Sequence, residues 1–191
     1  EQVYLPAMIA TDAFYVSHFV EPVDVPTQEQ VDAFLPPLDL PHRFDVDKPG
    51  FIMPVVTSEF YRHYKNAANA AMDSVQEIAA QVDSEFRQKF GRGYGVVEGF
   101  MTDDADVVVV TEGSMTSTAR VAVGDLRREG IRAGILKLRL FRPFPVKAVQ
   151  EALSGKKKIA VIDRNCSVGG GGIFCQELKA ALVHSPDHPG I

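Results

Sequence analysis

The chain has 191 residues, 46% of them hydrophobic, with 25 acidic side chains against 20 basic and a formal net charge of −5. That is room for one full domain with additions or for two small ones, with enough apolar material for a real core. The acidic balance excludes a general nucleic-acid or anionic-membrane surface, no apolar run approaches the roughly 18 residues of a membrane span, and EQVYLPAMIA has neither the basic region nor the cleavage pattern of a signal peptide.

VYLPAMIA reads as a buried strand ending at Thr11 and Asp12. The chain opens there without a methionine and closes on SPDHPGI, so the expectation is a piece of a longer polypeptide. Pro22, Pro26, Pro36 and Pro37 forbid long regular elements in the stretch that follows. Within it TQEQVDAFL predicts one short helix, with Thr27 as N-cap and Gln30 completing a capping box. Residues 1–50 thus read as a proline-rich linker wrapped over other surfaces.

Residues 51–93 read as linker and long bridging helix. Ala68, Ala71, Val75, Ile78, Val82 and Phe86 recur at spacings of three and four, and Gly91 and Gly93 stop the helix. About thirty residues span about 45 Å, a length suited to bridging parts of a larger molecule or packing on a partner.

From residue 94 the pattern changes. YGVVEGFM predicts an edge strand, and DADVVVVTEG a strand apolar on both faces, as helices on both sides require. A helix follows over SMTSTARVAVGDLRREG, with Ser114 placed to cap its start and Gly130 its end. Then come a strand AGILKLRLF, a turn RPFP, a helix VKAVQEALSG, a strand KKIAVID, four glycines and a helix GGIFCQELKAALV. This βαβαβα order predicts an α/β fold over 94–191, a three-layer, doubly wound, mostly parallel sheet.

These pieces carry a resemblance. Gly113-Ser114, Glu129-Gly130-Ile131 and Phe141-Arg142-Pro143-Phe144-Pro145 resemble the C-terminal domain of the transketolase family of thiamine enzymes. TDAFYVSH and DRNCSVGGGG narrow it to something similar to the alpha subunit of pyruvate:ferredoxin (2-oxoacid) oxidoreductase. The resemblance makes residues 1–50 the end of a pyrimidine-binding domain with its linker and 94–191 a transketolase C-terminal-like domain, and it implies an enzyme converting a 2-oxo acid and coenzyme A to acyl-CoA and CO2. Thiamine diphosphate, magnesium and iron–sulfur clusters would serve the full enzyme, with ferredoxin as electron acceptor. It implies beta-, gamma- and delta-type subunits as partners, with a homodimer also open. The family's GDG…N diphosphate motif is absent, so residues 1–191 are expected to hold no cofactor and no catalytic residue, and to serve as a structural and subunit-contact portion, inactive alone. Two alternatives stay open: a stand-alone anion- or nucleotide-binding α/β module, or the C-terminal domain of another thiamine enzyme, a transketolase or a dehydrogenase E1 beta subunit.

Two strand-to-helix turns are the candidate anion sites: Gly113 with Ser114, and the run Gly169, Gly170, Gly171 and Gly172. Glycines allow close backbone approach and a helix start favours negative charge. The full dinucleotide fingerprint is not met, with Asp187 the sole acidic residue at a suitable distance, and the tight-turn reading stands beside the ligand reading at both places. Asp12, Tyr15, Ser17 and His18 cluster, but no nucleophile-elbow motif surrounds Ser17. Arg139, Arg142 and Arg164 sit at strand ends, where they bind a phosphate or pair with carboxylates across a domain interface. Cys166 and Cys175 are too few for a cluster and, with His184 and His188, match no standard zinc spacing. Two thiols fit a reducing cytoplasm.

Overall fold

The computed structural model describes residues 2–40, 42–50 and 55–185. Asp187 and His188 lie outside the described residues. The chain divides into two compact units, one of residues 1–8 and 22–92, the other of 9–21 and 93–191.

The first unit is helical. Helix α1 (Gln28–Asp32) starts on Thr27, whose hydroxyl accepts from the Gln30 N–H while the Gln30 side chain accepts from the Thr27 N–H, the reciprocal box read from the sequence. Helix α2 runs Ser58–Phe90, 33 residues or about 50 Å. It ends at Gly91, whose left-handed backbone, φ +70°, lets its N–H return to the Arg87 carbonyl. Phe34, just past α1, packs edge-on against Phe86 and Phe90. The strand expected over VYLPAMIA does not form: residues 4–12 lie in no strand, and Met8 and Ile9 are exposed. A strand needs a neighbour to take its backbone groups, and no described strand pairs with it.

The second unit holds the sheet. Its strands are β1 (Val97–Phe100), β2 (Val107–Glu112), β3 (Ala133–Leu138) and β4 (Lys158–Val161), in spatial order β1-β3-β2-β4. β2 pairs in parallel with β3 and with β4, and β1 runs antiparallel along β3 at the edge. Helices α3 (Met115–Arg128), α4 (Val146–Leu153) and α5 (Ile173–Leu182) complete it.

Side chains alternate along the strands, and the core divides accordingly. Val108 and Val110 of β2 and Leu136 and Leu138 of β3 pack with Val149 and Leu153 of α4 and Leu178 and Leu182 of α5. Ala133 and Ile135 turn the other way, onto Ala119 and Val123 of α3. The architecture is three layers, α3 on one face and α4 with α5 on the other, as the apolar-on-both-faces reading of DADVVVVTEG requires.

This winding places the site. β2 leads into α3 on one face, whereas its neighbour β4 leads into α5 on the opposite face. Between two such strands the connections part, and their carboxyl ends border the crevice where open α/β sheets take ligands.

Candidate functional site at the carboxyl edge of the sheet

The first turn of this edge, Thr111 to Ser114, is locked from below. The buried Thr111 and Thr116 hydroxyls lie 3.0 Å apart, and Thr116 Oγ1 donates to the Gly113 carbonyl at 3.1 Å. Ser114 begins α3, but its side chain does not cap the helix as expected. Its backbone is already helical, φ −72° and ψ −21°, whereas a capping side chain reaches its N–H from an extended backbone. The cap comes from the far end of the chain. Asp12 Oδ2 accepts from the Ser114 N–H at 2.5 Å, and Asp12 Oδ1 accepts from Arg164 Nη1 at 2.9 Å. Gly113 is left-handed, φ +56°, and the space a Cβ would need there is filled by the Asp12 carboxylate. The Ser114 N–H, with Arg164 beside it, holds the Asp12 carboxyl below the usual aspartate range.

The second turn follows the same rule. Asp163 Oδ2 accepts from the Phe174 N–H at 2.9 Å and the Cys175 N–H at 3.2 Å. Asn165 Oδ1 accepts from the Ile173 N–H at 2.9 Å, and the Asn165 amide in turn donates to Asp163. The N–H groups of residues 173, 174 and 175, which no helix can satisfy internally, are thus all taken. Gly172 lacks a Cβ because the Asp163 carboxyl occupies that volume. Gly169 and Gly171 have positive φ, and a bridge between Ser167 and Gly171 closes the loop, leaving Val168 fully exposed at its tip. Cys166 and Cys175 are free thiols.

Arg164 links the turns. Its guanidinium holds Asp12, its N–H donates to Glu112 Oε1 at 3.3 Å, and it lies over the Tyr15 ring at 5.8 Å. Glu112 ends β2 half-buried, and its Oε2 is buried with no hydrogen-bond partner among the described residues. Burial, with Asp163 and Asp12 nearby, pushes its carboxyl above the usual range. A raised value means that ionising Glu112 costs folding free energy as pH rises from the unfolded value through the folded one. Glu112→Gln is therefore expected to raise the melting temperature at pH 7 to 8, the gain fading toward pH 4. A loss of stability at pH 7 equal to that at pH 4 would contradict this burial cost.

The remaining candidates take definite places. Arg139 pairs with Glu98 and Arg142 with Glu177, at 2.5 Å in the second case. These pairs and Arg164–Asp12 all lie inside one unit rather than across a domain interface. Ser17 Oγ and His18 Nδ1 lie 2.8 Å apart, and the His18 ring stacks on Phe14 at 4.7 Å. Asp12, the carboxylate of the same cluster, is bound to Ser114 and Arg164 and does not orient His18. Sequence reasoning missed Asp163, Asn165 and Lys137. The signal for the first two was present as a polar D-x-N eight to ten residues ahead of the helix, outside the window in which a cap is sought.

The donor set decides which cofactors the edge can take. The N–H groups that would receive a diphosphate are engaged by Asp12, Asp163 and Asn165. No cluster of three or more His, Cys, Asp or Glu suited to a metal ion occurs among the described residues. The described residues do not fit a magnesium diphosphate. No described helix is long and apolar enough to cross a membrane.

Comparison with known proteins completes the site's context. Residues 1–84 match the family model described as pyruvate flavodoxin/ferredoxin oxidoreductase, thiamine diP-bdg, and residues 105–190 match pyruvate:ferredoxin oxidoreductase core domain II. A pyruvate synthase subunit PorA from Methanothermobacter thermautotrophicus is 37% identical over 180 residues, 94% of this chain and 47% of that one. A ketoisovalerate oxidoreductase subunit VorA from Pyrococcus abyssi is 37% identical over 191 residues, 99% of this chain and 48% of that one. A solved 2-oxoglutarate:ferredoxin oxidoreductase from Magnetococcus marinus aligns over 72% of this chain and 20% of that one, with TM-score 0.48 and 20% identity. The chain spans about half the length of the curated relatives it matches.

Proposed function

This chain belongs to the pyruvate:ferredoxin oxidoreductase family, and we propose that it is part of the alpha-type subunit of a 2-oxoacid oxidoreductase, with pyruvate as first candidate substrate. The observation that carries the reading is the match along nearly the whole chain to two such subunits. The overall conversion is R–CO–COO⁻ plus CoA–SH to R–CO–S–CoA, CO2, one proton and two electrons, the electrons leaving to ferredoxin. Thiamine diphosphate, when bound in the complete enzyme, supplies the carbanion chemistry.

Within that enzyme we assign this chain a supporting part, as structure and subunit contact. Three segments divide the work: 1–50 closes the preceding domain and forms the linker, 51–93 supplies the long helix, and 94–191 is the α/β domain. Asp12 and Asp163 close the ligand edge of the sheet from within, so diphosphate, magnesium, coenzyme A and clusters are held by other parts of the enzyme. Beta-, gamma- and delta-type subunits are the proposed partners and the cytoplasm the proposed compartment, in keeping with the two free thiols.

The test is dye-linked turnover by the complex isolated with its accompanying subunits. Viologen reduction is expected only when coenzyme A and a 2-oxo acid are both present, and pyruvate and 2-oxoisovalerate should be compared side by side. A complex loaded with thiamine diphosphate and clusters that reduces no dye with any 2-oxo acid would overturn the assignment.

A further inference from the structure

On the α3 face of the sheet two arginines pair with one carboxylate and a lysine stands across the strand from it. Glu98 of β1 and Lys137 of β3 are cross-strand partners in the antiparallel register. Lys137 follows Ala133 and Ile135 at two-residue steps, so it stands on the face those residues pack against α3. Glu98 Oε1 accepts from Arg120 of α3, and Glu98 Oε2 accepts from Arg139. Both oxygens are thereby engaged. The Lys137 amine has no hydrogen bond or ion pair with any described residue, although the side chain is half-buried. The next carboxylate it faces, Asp12, is already held by Ser114 and Arg164.

Three positive charges against one negative leave an excess of two, and the geometry keeps it in place. The Arg120 guanidinium lies 5.4 Å from the Phe100 ring centre and Arg139 5.0 Å from that of Tyr94, so each arginine is backed by an aromatic face. Burial, and Arg139 beside it, hold the Lys137 amine below the usual lysine range. Like charges gathered around a half-buried amine cost free energy unless something offsets them. Arg120 keeps 42% of its side chain exposed, so the cluster opens to solvent.

We propose that Arg120, Lys137 and Arg139 form a binding site for a doubly charged oxyanion of the phosphate class. A phosphate group has the charge that balances the excess, and oxygens enough for two guanidinium forks and an ammonium at once. The site lies beside the edge that Asp12 and Asp163 close, and its existence does not depend on the 2-oxoacid reading.

Inorganic phosphate is the probe, used on the full polypeptide with any subunits that accompany it. The rate at which an amine-acylating reagent modifies each lysine is followed by mass spectrometry, at constant ionic strength with chloride as replacement. Lys137 is expected to become protected along a saturable phosphate curve, while the exposed Lys147 and Lys179 stay unchanged. Arg120→Gln, at a solvent-exposed position, is expected to shift that curve to about tenfold higher phosphate, the worth of one charge-assisted bond. An identical Lys137 rate with and without phosphate, equal slowing by chloride, or an unmoved curve in Arg120→Gln would each overturn the site. So would protection by polyglutamate at concentrations where phosphate gives none, which would make the cluster a contact for an acidic polypeptide.

Discussion

Asp163→Ala is expected to destabilise the α/β unit by about 2–3 kcal/mol, the cost of a charged acceptor lost from two helix N–H groups at once. The carboxylate accepts from Phe174 and Cys175 and braces Asn165, which accepts from Ile173, so a single truncation loosens all three. Leu178 and Leu182 of the same helix are buried in the core, so the loss should reach the global transition and not only fray the turn. Asp163→Asn keeps one acceptor oxygen and should cost less. Urea unfolding followed by circular dichroism measures both. An Asp163→Ala midpoint within error of the parent protein would show that α5 needs no such cap.

Asp12→Ala is expected to cost about 1–2 kcal/mol at pH 7, as loss of a helix-start carboxylate paired with an arginine. The pH dependence gives it a signature. The folded-state carboxyl lies below its unfolded value, held there first by the Ser114 N–H and then by Arg164. Its contribution is therefore full above the ordinary aspartate value and lost as pH falls through the folded one. The difference between parent and variant should shrink below about pH 4. A difference that stays constant from pH 7 to pH 3 would assign the effect to packing instead of charge. Thermal melts across that range separate the two.

These effects rest on interactions that the sequence disclosed unevenly. The body and end of α2 were legible because apolar spacing of three and four is local and a left-handed glycine ends it. The order of strands and helices was legible for the same reason: each four-to-six-residue apolar run is a local signal. The expected strand VYLPAMIA failed because strand formation depends on a neighbour, which no local pattern contains. Ser114 as a cap failed differently. The residue was the right one, but its backbone N–H rather than its hydroxyl serves, and the partner lies 102 positions away.

The glycine turns show the same limit. Four glycines in a row signal a close approach without saying of what. At Gly172 and at Gly113 the approaching group is a carboxylate of the chain itself, Asp163 and Asp12. Lys137 gave no signal, because a lysine in AGILKLRLF reads as the polar step of an alternating strand until Arg120 and Arg139 are placed beside it.

Amide hydrogen exchange at Ser114, Phe174 and Cys175 in the parent protein, Asp12→Ala and Asp163→Ala tests most directly whether the chain's own carboxylates close this edge. The parent protein should protect all three amides. Asp12→Ala should release Ser114 alone, and Asp163→Ala should release Phe174 and Cys175 while Ser114 stays protected. Exchange at Ser114 that is equally fast in the parent protein and in Asp12→Ala would contradict the account and leave the crevice between β2 and β4 open to a ligand.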